Sequence, residues 1–328
     1  MKQLLKKVFL FLLPIILLAY PADRLLSYGL RNSGVGGGDM EITNDLYTGN
    51  INTDILIIGS SRSFVHFDPA IIEEKTNMSA YVVGFNALRF NLQDLLFKEY
   101  LKYNTKPKIV ICSLDQPTLY NSMGTASINF IPFMLFNESM QEDMGPYLDF
   151  SSVDYYIPFL RYVGNLGAIK WGASYYFNPP GHKMRYKGYL AQDFPWYTIP
   201  GAEGTTTYDP TIEIERDKII PDLESHLLYK DIFIRFIQDC EQEQIKVVFV
   251  YTPEYCKDGY VVTSIRQITD YYNNIAKEYN IPFWDYTKDS ISYDTQYFYN
   301  VLHLNVRGSR KFTEDLSIRL LELENKNF

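Results

Sequence analysis

The chain has 328 residues, 46% of them apolar and 16% aromatic, enough to fill one large domain or two small ones and too apolar for a disordered chain. Its 31 Lys and Arg against 39 Asp and Glu leave a net charge of −8, which argues against nucleic acid as a partner, since phosphate binding needs clustered cations. Cys112, Cys240 and Cys256 form no disulfide framework and no metal motif, and Cys112 reads as a small buried hydrophobe. His66, His182, His226 and His303 are scattered without ligand spacing, so no metal is implied, and nothing points to an organic cofactor.

In chain order, MKQLLKK leads into VFLFLLPIILLAY, a basic segment followed by an apolar one. Residues 1–30 read as a signal anchor with a juxtamembrane segment, in preference to a cleaved signal, because no small-x-small cleavage site stands out before Asp23 and Arg24. The run reaches spanning length only if Leu4 and Leu5 join it and Lys6 and Lys7 snorkel. Lys2, Lys6 and Lys7 place the N-terminus inside and the rest of the chain outside, at the periplasm or cell surface. Residues 31–52, with NSGVGGGD, read as a flexible linker, and the folded domain starts near Thr53 and runs to residue 328.

Five short apolar runs then alternate with helical patterns. The strands are Asp54–Ile58, Tyr81–Phe85, Lys108–Leu114, the run IKVVFVYTP ended by Pro253, and Ile281–Tyr286. Helices are expected from Phe90, over Asp222–Glu243, over Thr263–Tyr279 and over Ser309–Glu324. Short strands buried on both faces and alternating with helices indicate a parallel sheet between two helix layers, with its site beyond the carboxyl ends of the strands. Residues 117–221 break the rhythm. They are crowded with Tyr, Phe, Trp, Pro and Gly and read as an insertion over that edge, either a lid or platform for a ligand such as a sugar ring or simply a core of its own.

Two loops at this edge carry chemistry. Ser61 follows the first strand and Gly59 at the start of a helix, where free backbone N–H groups suit an oxyanion. A serine there is a helix cap unless a base takes its proton. NVLHLNVRG, Asn300–Gly308, falls after the fifth strand, and His303 in it is the candidate base. Arg62 suits either an anionic substrate or a neighbouring carboxylate. His66 lies too close in sequence to be taken as the base.

GSSRS after the first strand, together with FYNVLHLN near the end, resembles the SGNH/GDSL hydrolase superfamily, nearest to membrane-anchored members associated with cell-surface polysaccharides and cell walls. The resemblance implies a flavodoxin-like three-layer α/β/α fold with a parallel five-stranded sheet, and a serine esterase or O-acyltransferase acting on acyl esters of a cell-surface glycan or cell-wall polymer. It places Ser61 as nucleophile and one oxyanion donor, His303 as general base, and Gly84, or alternatively Ala87, as the second oxyanion donor. An integral-membrane partner that supplies the acyl group is compatible with the transferase reading. The third block's Gly-x-Asn loop is absent. Asp115 and Gln116 stand there and join Arg62 as candidate substrate-binding residues. The last block reads Asn-x-x-His in place of Asp-x-x-His, so Asn300 takes the position that orients the imidazole, without a charge. Three outcomes follow: a Ser-His pair assisted by Asn300, another carboxylate such as Asp285, Asp289 or Asp294 in the third role, or a glycan-binding or polysaccharide-assembly module that turns nothing over.

Overall fold

The computed structural model describes residues 2–116, 118–119, 132–133, 152–196, 218–256 and 261–325. Much of the expected insertion, including 134–151 and 197–217, lies outside the described residues. The chain forms two compact units, one of residues 1–45 with 123–184, the other of 46–122 with 185–328.

The larger unit is an α/β fold. Its strands are β1 (Ile55–Gly59), β2 (Ala80–Gly84), β3 (Ile109–Leu114), β4 (Lys246–Tyr251) and β5 (Phe283–Asp285). They pair in parallel in the order β2-β1-β3-β4-β5, the flavodoxin-like order. Side chains alternate across the sheet. Ile55, Ile57, Ile111, Val248 and Val250 share one core with Phe64, Phe67, Phe312 and Leu316. Phe249 points to the other face, stacking on Phe233 at 5.1 Å, and Phe233 meets Phe90 edge-on at 4.6 Å. Both faces are thus covered, which is why the strands read as continuous apolar runs.

The register sets the functional edge. Gly59 lies opposite Gly84 on one side and Ser113 on the other. These small residues let α3 (Ser61–His66) pack close over the strand ends. A Cβ on Gly84 would lie 2.0 Å from Ser63 Oγ, and one on Gly59 2.8 Å from both Ser113 Cβ and Ser63 Cβ. Helices α4 (Pro69–Thr76) and α5 (Phe90–Tyr103) follow β1 and β2.

Two helices depart from expectation. The helix read over Asp222–Glu243 is broken into α8 (Leu223–His226) and α9 (Lys230–Gln242). Between them the Tyr229 N–H turns to Leu119 O at 3.2 Å. The last helix, α11 (Val306–Asn325), starts three residues before Ser309 because Asn305 Oδ1 accepts from the N–H groups of Arg307 and Gly308 at 3.0 and 3.1 Å. Thr263–Glu278 forms α10.

Residues 185–196, expected within the insertion, belong to the α/β unit. A turn at Tyr186–Tyr189 covers the free edge of β2, where the Val82 N–H donates to Lys187 O at 2.9 Å. Further on, the Leu190 N–H reaches Phe64 O at 2.8 Å and the Val306 N–H reaches Gln192 O at 3.0 Å.

The smaller unit is built on α1 (Lys2–Arg31). Among the described residues it is the one helix long and apolar enough to cross a membrane, by length and composition, over Lys6–Arg31. The stretch read as a flexible linker carries α2 (Asp39–Tyr47), whose Met40, Ile42 and Leu46 are buried. Gly36, Gly37 and Gly38, all at positive φ, make the turn into it. The unit also holds α6 (Ser152–Tyr156), a 3-10 turn at Leu160–Tyr162 and α7 (Leu166–Ser174).

Candidate active site

Ser60 is the N-cap of α3, yet its hydroxyl makes no capping bond and donates instead to Asp115 Oδ2 beyond the end of β3. Asp115 is buried and also accepts from Thr118 Oγ1 at 2.6 Å. This contact crosses the gap between β1 and β3, where the strand order reverses and doubly wound sheets place their sites. Ser60 O accepts from both the N–H and the hydroxyl of Ser63, at 3.1 and 2.7 Å. The turn is thereby held from three sides, and Ser61 follows as the first helical residue, with an N–H that has no partner within its own helix.

Ser61 Oγ lies 2.8 Å from His303 Nε2. His303 is carried by a short hairpin of β6 (Phe298–Asn300) and β7 (His303–Leu304). Its Nδ1 lies 3.0 Å from Asn300 Oδ1. The same oxygen accepts from the N–H groups of Leu302 and His303, each at 3.0 Å. Those two backbone donors fix the amide with its oxygen toward the ring. His303 therefore carries its proton on Nδ1 and leaves the Nε2 lone pair facing the serine, the tautomer a base needs.

No charge accompanies that orientation. Burial first, and then Arg62, hold the His303 pKa down to about 4, while Glu254 pulls weakly the other way. The imidazole is neutral at pH 7, ready to accept a proton, but its cation is poorly stabilised. The Tyr299 ring stacks on it at 5.5 Å between centroids and 9° between planes.

Arg62 does not face a substrate. It is buried, donating from Nε to Thr252 Oγ1 at 2.9 Å, from Nη2 to Thr252 O and from Nη1 to Glu254 Oε1 at 3.2 Å. Glu254 is buried too and accepts from the Tyr251 hydroxyl at 2.7 Å. Of the two roles Arg62 suited, an anionic substrate or a neighbouring carboxylate, the structure has the second: Arg62 meets Glu254 and ties α3 to the end of β4. Asp115 is corrected from substrate binding to a structural role, its carboxylate being committed to Ser60 and Thr118. Gln116 is half-buried beside it. Nor does a spare aspartate replace the missing charge: Asp285, Asp289 and Asp294 accept from the nearby N–H groups of Thr287, Ile291 and Gln296.

His66 proves to be part of the frame. Its Nε2 accepts from the Leu304 N–H at 3.0 Å, so its proton sits on Nδ1 and goes to Thr252 Oγ1 at 2.9 Å. Its carbonyl accepts from Ser309 Oγ and Thr313 Oγ1. Burial, Arg62 and His303 hold its pKa well below the ordinary 6.5. This neutral histidine joins the serine helix to the residue after His303. The roles of His66, Thr252 and Glu254 were not read from sequence. A Thr-Pro-Glu step right after a buried strand was the available signal.

Gly84 lies against Ser60 and Ser63, as the close approach of its absent side chain shows, and its carbonyl accepts from Arg185 Nη1 at 2.9 Å. The Arg185 guanidinium also covers the Phe64 ring at 3.9 Å. Ala87 lies in the following turn, at φ 53°. Among the described residues no group of three or more His, Cys, Asp or Glu is placed to hold a metal.

No protein-family model and no curated protein matches the sequence. Solved structures of similar architecture include a candidate acylhydrolase from Bacteroides fragilis at 12% identity, covering 81% of this chain and 87% of that one with a TM-score of 0.36. A GDSL-like lipase from Bacteroides thetaiotaomicron is 11% identical over 83% and 88% of the two chains, with a TM-score of 0.36. A candidate lipolytic protein of the G-D-S-L family from Desulfitobacterium hafniense is 10% identical over 81% and 98%, with a TM-score of 0.38. The chain is a five-stranded parallel α/β protein with a serine, a histidine and an asparagine hydrogen-bonded in series at the carboxyl edge of its sheet.

Proposed function

We propose that the protein is an SGNH-type serine esterase or O-acyltransferase, held by α1 in the cell membrane with its α/β unit outside, and acting on acyl esters of a cell-surface glycan or cell-wall polymer. The observation that carries the catalytic part is the 2.8 Å contact of Ser61 Oγ with a His303 whose tautomer is fixed by Asn300. Ser61 Oγ attacks the ester carbonyl carbon while its proton passes to His303 Nε2. The tetrahedral oxyanion is met by the N–H of Ser61 and that of Gly84 or Ala87. Collapse returns the proton from His303 to the departing alkoxide and leaves an acyl-serine. Water or a second hydroxyl, deprotonated by His303, then takes the acyl group.

The glycan reading draws support from aromatic rings around the base. Tyr299 stacks on His303 and meets Phe194, and Trp196 meets Tyr255. Such rings offer flat apolar faces to a sugar. The membrane reading draws support from the apolar run of α1 and the lysines ahead of it. An integral-membrane acyl donor is the partner the transferase form would need.

A second reading, a glycan-binding or polysaccharide-assembly module with no turnover, has one observation in its favour: His303 Nδ1 meets an amide rather than a carboxylate. A fluorophosphonate probe separates the two. An adduct on Ser61 that disappears in His303→Ala supports the enzyme, and no adduct on folded protein supports the binding module.

A further inference from the structure

The apolar part of α1 does not leave its helix as a bare stalk. Asp23, three residues past Tyr20, is fully buried. It accepts from Arg161 Nη2 at 2.8 Å, from the Phe159 N–H at 2.8 Å and from Arg24 Nη1 at 2.9 Å. One turn on, the Ser27 hydroxyl meets the Tyr162 hydroxyl at 2.8 Å, and the Tyr176 hydroxyl donates to Leu25 O at 2.6 Å. Gly172 of α7 packs directly on Leu26 and Gly29. The residues from Phe159 to Tyr176 thus grip α1 along Asp23–Gly29.

At 1.5 Å per residue, Asp23 and Leu25 stand about 5–8 Å beyond Tyr20. The polar layer on each side of a bilayer's hydrocarbon core is about 5–8 Å thick. The groups that touch Asp23, and the Tyr176 hydroxyl on Leu25, therefore fall in that layer if Tyr20 stands at the edge of the core, with the Tyr176 ring further out beside Gly29. The side chains next to those contacts are large, apolar or aromatic, and exposed: Tyr156 and Ile157 just before Phe159, and Tyr176 with Phe177, which is 89% exposed. Tyr20, at the near edge of that layer, is exposed too, with the Arg24 guanidinium over its ring at 4.2 Å. Tyr beside apolar residues and a snorkelling Arg is the composition the interface favours.

We propose that Tyr156, Ile157, Tyr176 and Phe177 form a collar around the exit of α1 and sit in the phospholipid headgroup layer, held there by the buried Asp23–Arg161 pair. The proposal rests on the reading of α1 as an anchor. The occupant of the surface is the bilayer that α1 enters, because the exposed apolar face of the helix continues into the collar within one unit of the chain.

The test uses the full chain in vesicles of phosphatidylethanolamine and phosphatidylglycerol. Nitroxide labels are placed singly at Phe177→Cys, Ile157→Cys, Leu12→Cys in α1 and Lys106→Cys as an exposed aqueous reference; the native cysteines are buried and stay unlabelled. Collision with oxygen and with a nickel chelate gives the depth of each. The collar predicts a deep Leu12 site and Phe177 and Ile157 sites at headgroup depth, with nickel accessibility several-fold below that at Lys106. Adding Asp23→Asn should return the Phe177 site to aqueous accessibility while Leu12 stays deep. Phe177 and Ile157 sites as accessible to nickel as Lys106, with Leu12 deep, overturn the collar and leave the anchor standing. Labels shielded from both reagents overturn it in favour of a protein partner. An aqueous Leu12 site removes the anchor and the collar together.

Discussion

Two buried arginine–carboxylate pairs organise two regions of this molecule, and they are built differently. Arg62 has all three nitrogen groups engaged, by Thr252 twice and by Glu254, and it ties the serine helix to the end of a central strand. Arg161 meets Asp23 and Ser27 through Nη2 alone, and among the described residues its Nε and Nη1 have no hydrogen-bond partner. The first pair braces the turn that carries Ser61 against a rigid sheet. The second braces one helix against the segment that wraps it. A charged residue in an apolar setting thus marks a joint in both places, and only the joint at the sheet edge bears on the serine.

The sharpest way to separate these regions is to remove the chemistry and leave the frame. Ser61→Ala should lower turnover of an activated ester by roughly 10⁴-fold or more and abolish fluorophosphonate labelling, with an unfolding midpoint within a few degrees of the parent. Unchanged turnover would mean that Ser61 is not the nucleophile.

Breaking each joint comes next. Arg62→Ala strands a buried Glu254 and should cost about 3–5 kcal/mol of stability, with loss of labelling at Ser61. Arg161→Ala leaves Asp23 with Arg24 and the Phe159 N–H and should destabilise the α1 unit by less. It should leave the labelling rate at Ser61 close to the parent's. Urea unfolding and labelling rates measured on the same samples check both, and equal losses of labelling in the two variants would undo the comparison.

Asn300→Asp sharpens the active-site half. A carboxylate on His303 Nδ1 favours the imidazolium, so the acid limb of the kcat/KM profile, expected near pH 4 in the parent, should move upward. The turnover number should rise on the order of 10- to 100-fold. That is less than the roughly 10⁴ lost when a protease triad Asp becomes Asn, since that loss reflects a wrong tautomer and here the tautomer is already right. An acid limb that stays put would remove the electrostatic account of Asn300.

The smallest effect is on stability against pH. Unfolded histidine binds a proton below about pH 6.5, while folded His303 stays neutral to about 4. Between those values the unfolded state holds more protons, so stability falls as pH falls. Its slope in this window should be shallower in His303→Gln, measured by thermal unfolding from pH 4 to 7.

Strands β1 to β4 were legible because strands buried on both faces must be apolar throughout, and the glycine and serine after the first of them marked the candidate edge. Ser61 and His303 could be paired from sequence because the loops that follow the strands of a parallel sheet all leave from its carboxyl edge. Arg62 could not be read that way. Whether its long side chain turns out to substrate or inward depends on Thr252 and Glu254, roughly 190 residues further along the chain. The same holds for His66, whose partner Leu304 lies 238 residues away. The break at Leu227–Tyr229 escaped a periodicity argument because a tertiary contact, Tyr229 to Leu119, outcompetes the next helical hydrogen bond. Pattern and spacing therefore determined the layers and the order along the chain of the residues that meet at the sheet edge, and the family resemblance pointed to Asn300 as the histidine's partner. Tertiary structure decided which polar side chains are spent inside, because burial and hydrogen bonding between distant segments are properties of the folded chain alone.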